Sequence, residues 1–123
     1  MFVFDKTSGM VTMHRGDTGA FYVKNSRKSG EAFTDDDRLI YTVKLGETVK
    51  IQRYLSLTNE GENGKVLISF RNSDTDTFES GTYATEIRVV INPIWLDGEI
   101  VDGDIVRTVM QSTLTINDVL KEV

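Results

Sequence analysis

The chain has 123 residues, 39% of them hydrophobic and 27% charged, a balance expected of one globular domain and not of a disordered tail or a membrane-embedded chain. Nineteen acidic residues against 14 basic ones give a formal charge of −5. Without a basic stripe the chain is poorly suited to neutralising phosphates, so nucleic acid is not an expected partner. With no cysteine, disulfides and thiolate metal sites are ruled out.

In chain order, a short strand is expected near 2–4, then strands at 9–15 and 18–24. Between the last two lies Arg15-Gly16-Asp17, which has the form of a cell-adhesion signal. The flanking Val11, Met13, Phe21 and Val23 make it a corner between strands instead. Gly16 supplies backbone freedom there, and the Asp17 carboxylate accepts nearby N–H groups. A strand at 38–45 follows, in which Leu39, Tyr41, Val43 and Leu45 alternate with Ile40, Thr42 and Lys44. Strands at 48–57 and 65–71 come next, the second with Val66, Ile68 and Phe70 on one parity. Tyr83, Thr85, Ile87, Val89 and Ile91 share a parity across 82–92, and the last strand spans 104–116. Successive strand side chains point to opposite faces, so this alternation encodes sheets with one buried face. The only helix-like piece is 117–123, where Asn117 can cap a turn or two.

Turn signals such as Asn63-Gly64, Ser80-Gly81 and Asp97-Gly98 punctuate these runs. Seven to eight short strands so spaced predict one all-β domain over 1–123, an antiparallel β-sandwich. The stretch 92–101 reads as an extension of the last hairpin, turning at Asp97-Gly98. Two placements of this arm are open. It projects with Ile94, Trp95, Leu96, Ile100 and Val101 forming an apolar interface, or it folds back and Trp95 joins the core.

Glu79-Ser80-Gly81-Thr82-Tyr83-Ala84-Thr85 resembles the stretch that opens the penultimate strand of immunoglobulin domains. That resemblance implies a tyrosine corner, with Tyr83 as the tyrosine, Gly81 as the small residue and Thr85 at the cysteine position. Four motifs extend the likeness: Met13-His14-Arg15-Gly16-Asp17-Thr18, Tyr41-Thr42-Val43-Lys44, Gly64-Lys65-Val66-Leu67-Ile68 and Asp76-Thr77-Phe78-Glu79-Ser80-Gly81-Thr82-Tyr83. In this order they resemble the immunoglobulin-like N-terminal domain of phage baseplate upper proteins. The resemblance implies an immunoglobulin-like sandwich in or near a phage or prophage tail or baseplate assembly, with no catalytic residues to carry over.

Catalytic constellations are not expected. His14 is the only histidine, and no nucleophile elbow or phosphate-cradling glycine loop accompanies it. The acidic groups Asp35-Asp36-Asp37, Asp74 with Asp76, and Asp97, Asp102 and Asp104 read as solvated turn carboxylates, with loop-held calcium the alternative. The resulting expectation is a non-enzymatic structural or interaction module without a cofactor, associating with a protein partner or with itself. It would be made in the bacterial cytoplasm, without membrane insertion, and reside in the virion when assembled. The alternative is a cell-surface carbohydrate-binding sandwich that stacks sugars on Trp95, Tyr54 and Tyr22.

Overall fold

The period-two pattern resolves into two sheets packed face to face. A computed structural model describes residues 1–118. Its strands are β1 (Phe2–Phe4), β2 (Val11–His14), β3 (Gly19–Lys24), β4 (Arg38–Leu45), β5 (Thr48–Ser56), β6 (Lys65–Phe70), β7 (Gly81–Leu96) and β8 (Glu99–Asn117). A single helical turn, α1 (Asn72–Thr75), lies between β6 and β7. One sheet has the order β1-β2-β8-β7-β4-β5, and β3 pairs with β6 in the other. The helix-like stretch expected over 117–123 falls largely outside the described residues, and Asn117 itself closes β8.

One pair departs from the antiparallel expectation: β2 runs parallel to β8, from Val11↔Leu114 to His14↔Asn117. Both strands finish at the corner where the chain crosses to the opposite sheet. There the Arg15 N–H donates to the Asn117 carbonyl at 2.9 Å. The last two strands are also longer than expected. The ladder continues through 92–103 as Pro93↔Gly103, Ile94↔Asp102, Trp95↔Ile100 and Leu96↔Glu99. Asp97 and Gly98 turn it with φ of 51° and 78°, the positive-φ geometry of tight hairpins.

The core forms where the expected parities meet. Leu39, Tyr41 and Val43 face Val66, Ile68 and Phe70 across the sandwich, and Tyr83, Ile87, Val89 and Ile91 extend the layer. Tyr41 lies between Phe21 and Phe70, each edge-on at 6.1 Å, an arrangement that suits the ring quadrupoles. β1 packs against the start of β3 and covers only that end of the flank: Phe4 stacks on Phe21 at 4.1 Å, and Phe2 reaches Phe70 at 5.9 Å. Only glycine fits at position 19, because a Cβ there would lie 2.1 Å from the Phe2 ring. β4 is buried on both faces, as Ile40 and Thr42 are 1% and 4% exposed. On the outer face Ile40 lies between its cross-strand partners Tyr54 and Arg88, which shelter it.

α1 was not foreseen, and its cause is local. The Asp74 carboxylate reaches back to accept the Arg71 N–H at 2.6 Å, a bond that closes a first helical turn. Arg53 then ties β5 to the other sheet. It donates to the Ser69 carbonyl, lies 5.7 Å over the Phe70 ring and pairs with Asp74 at 2.7 Å. Burial raises the Asp74 pKa, but the Arg71 N–H and Arg53 outweigh it and hold the carboxyl below its usual range. A carboxyl depressed in the folded state stabilises fully above its unfolded pKa, and that contribution is lost as pH falls through the folded value. Asp74→Asn is therefore expected to flatten the acid limb of stability below about pH 4. Urea midpoints measured across pH check this, and an unchanged acid limb would contradict it.

Candidate functional site

Each residue of Arg15-Gly16-Asp17 is engaged by the body. Arg15 Nε donates to the Phe78 carbonyl at 2.5 Å, and its guanidinium pairs with Asp118. Gly16, at φ 78°, donates its N–H to Thr75 Oγ1 at 2.9 Å and accepts from Asn72 Nδ2 at 2.8 Å. Asp17 Oδ2 accepts the His14 N–H at 3.0 Å and the Met1 ammonium at 2.5 Å. Its pKa is lowered, chiefly by that ammonium. An adhesive tripeptide must offer both charges from a mobile tip, whereas this one is bonded to α1 and to both ends of the chain path around it. His14 is half-buried at the end of β2, its backbone joined to the same carboxylate.

Gly81 opens β7 opposite Ile116, with φ 145°. Tyr83 packs its ring on Phe78 at 5.0 Å and donates its hydroxyl to the Glu79 carbonyl at 2.7 Å. This is the backward bond to the upstream backbone that defines a tyrosine corner. Tyr83→Phe is expected to cost about 1–2 kcal/mol, because the carbonyl then loses its partner in a mostly buried setting. Urea unfolding reads the change, and no loss would show that the bond contributes nothing.

The arm stands clear of the core. Ile94, Trp95 and Leu96 are 54%, 44% and 61% exposed, Val101 is exposed and Ile100 half-buried. Trp95 leans on the outer face of the larger sheet, edge-on to Tyr54 at 5.3 Å and with Arg38 5.8 Å from its ring. Its position is thus neither free in solvent nor within the core. The bend at the arm's root depends on a residue whose importance sequence reasoning missed. Asp37 was read with Asp35 and Asp36 as a solvated cluster, yet it is 1% exposed. Its carboxylate accepts the Thr34 N–H at 2.8 Å and the Asn92 N–H at 3.0 Å. Asn92 sits at φ 48° and donates its amide to Asp104 at 2.9 Å. The Thr34-x-x-Asp37 spacing was the available signal, since Asp and Thr commonly close such turns on their own backbone.

Two others of the acidic candidates are engaged separately. Asp35 accepts from Thr58 Oγ1 at 2.7 Å, and Asp74 serves Arg71 and Arg53. Among the described residues no three His, Cys, Asp or Glu side chains gather as a metal site. Nor do the three aromatic candidates for sugar stacking form a row. Tyr22 lies on β3 in the smaller sheet under Lys65, while Tyr54 and Trp95 meet at 83° on the larger one.

The sandwich is open along one flank. Asn25 N–H bonds to the Gly64 carbonyl at 2.8 Å, in register with the β3–β6 ladder. Antiparallel bonding alternates along a strand, so Ala20, Tyr22 and Lys24 aim their N–H and C=O groups away from β6. β2 covers β8 only from Leu114 onward. Between β3 and the uncovered part of β8 runs a groove of about 700 Å3 floored by Phe4, Phe21, Val23 and Met110. Further along β8 a cleft of about 240 Å3 lies against Phe33, Ile91 and Ile105. On the opposite flank Arg53 occupies the outward carbonyl of Ser69 on β6, beside a smaller cleft of about 360 Å3 against Leu55, Leu67 and Asp74. No helix among the described residues is long and apolar enough to cross a membrane. Comparison with protein-family models, curated proteins and solved structures finds no match to this chain.

Proposed function

We propose that the chain is a non-enzymatic structural module that builds a larger assembly, and that this assembly is a phage or prophage tail or baseplate. The observation that supports association most directly is the exposed apolar arm, where Ile94, Trp95 and Leu96 remain accessible. Large apolar side chains exposed together on one arm mark an interface. The uncovered edge of β3, elsewhere on the molecule, offers main-chain pairing as a second mode. The phage context rests on the motif order from Met13 to Tyr83 and on its likeness to baseplate upper proteins.

Particles purified from the producing strain test the reading. The chain is expected in the tail fraction by mass spectrometry, encoded beside tail or baseplate genes. Absence from particles, with no such genes nearby, would overturn the phage assignment. The carbohydrate reading receives no comparable support, because its three aromatics offer no shared platform.

A further inference from the structure

We infer that the partner seated in the open flank is the arm of a second copy of this chain, added as a strand to the free edge of β3. This deepens the assembly reading and rests on it. The first argument is an unfilled place in the sheet. β3 belongs to a sheet of only two strands, so one of its edges has no strand beside it. Its unused backbone groups at Ala20, Tyr22 and Lys24 border an apolar groove, so an added strand would find hydrogen bonds and a hydrophobic floor together.

The second argument is charge. From position 92 to 106 the chain carries four carboxylates, Asp97, Glu99, Asp102 and Asp104, and no lysine or arginine. The groove is bordered instead by Lys6 and by Lys24, the latter paired with Glu62 at 2.5 Å, and the adjoining cleft by Lys28 and Arg107. An acidic apolar hairpin and a basic-rimmed apolar groove on the same molecule are complementary to each other, not each to itself. Such a contact is head to tail, and its repetition gives a ring or a filament.

The third argument is side-chain direction. Along β7, Ile94 and Leu96 share one face and Trp95 takes the other. Trp95 stays on Tyr54 and Arg38 of its own chain. Ile94 and Leu96, both more than half exposed, are then the pair that enters the neighbouring groove. Raised salt is expected to weaken this contact, because the rim charges are solvent-exposed.

Two variants separate the halves of the contact. Ile94→Lys with Leu96→Lys disables the arm, and Lys24→Glu with Val109→Glu, both at residues that line the groove, disables the groove. All four side chains are exposed, so both proteins should retain the wild-type circular dichroism and thermal midpoint. In sedimentation velocity the wild type is expected to gain mass with concentration, and each variant alone to run as a monomer. Mixed one to one, they are expected to form a heterodimer, since one keeps a working arm and the other a working groove. A groove variant that assembles like the wild type, a mixture that stays monomeric, or a wild type that remains monomeric throughout would overturn the inference. A monomeric chain that still appears in the tail fraction would remove this contact and leave the proposed function standing.

Discussion

Replacing Asp37 by alanine is expected to cost about 2–5 kcal/mol, because two backbone N–H groups at a buried site lose their acceptor at roughly 1–3 kcal/mol each. The donors are Thr34 and Asn92, 58 positions apart in sequence but joined through one carboxylate. Their loss frees the 34–37 turn and the left-handed bend at Asn92 together, so the root of the arm loosens as stability falls. Asp37→Asn keeps one carbonyl acceptor and is expected to lose about half as much. Asp36→Ala, in the same acidic run but exposed, should stay within about 0.5 kcal/mol of the wild type. Urea unfolding of the three proteins measures this order. Equal effects at positions 36 and 37 would show that the carboxylate does not anchor the bend.

Tyr41→Ala is expected to be as severe, at about 3–5 kcal/mol, since it opens a cavity between two packed rings in the core. The same position carries a prediction of opposite sign. The Tyr41 hydroxyl is buried without a hydrogen-bond partner among the described residues, and burial pushes its pKa up. Removing an unpaired buried hydroxyl relieves a desolvation cost, so Tyr41→Phe should be neutral or stabilising by up to about 1 kcal/mol. Tyr83→Phe, by contrast, breaks a 2.7 Å bond and should destabilise. The two Tyr→Phe changes thus diverge because only one hydroxyl has a partner. A loss at Tyr41 equal to that at Tyr83 would place a hidden acceptor beside Tyr41.

What the sequence revealed was whatever depends on neighbours one or two positions away. The parity of Tyr83, Thr85, Ile87, Val89 and Ile91 corresponds to an unbroken buried face, and Asp97-Gly98 announced its turn because positive φ restricts the residues that fit. What it concealed depends on distant partners. The parallel direction of β2 depends on where β8 ends, about a hundred positions later. Ile40 lies on the parity opposite the core-facing residues, and only the flanking Tyr54 and Arg88 account for its burial. Asp37 matched its exposed neighbours in type, and only its bond to Asn92 sets it apart. The open flank was invisible for the same reason, since an unpaired strand edge is defined by what does not lie beside it. α1 was in principle legible, as Asp74 capping Arg71 is a three-residue relationship, but four residues make no helical period.

Every functional step proposed for this chain begins from an arm that stands outside the core, and its sole tryptophan reports on that directly. Acrylamide quenching of Trp95 emission at low micromolar protein, where copies are dissociated, is the decisive measurement. A half-exposed indole beside Tyr54 and Arg38 should emit at long wavelength and quench at a large fraction of the rate of a free indole. A blue-shifted emission that resists quenching would place Trp95 inside the sandwich and contradict the account.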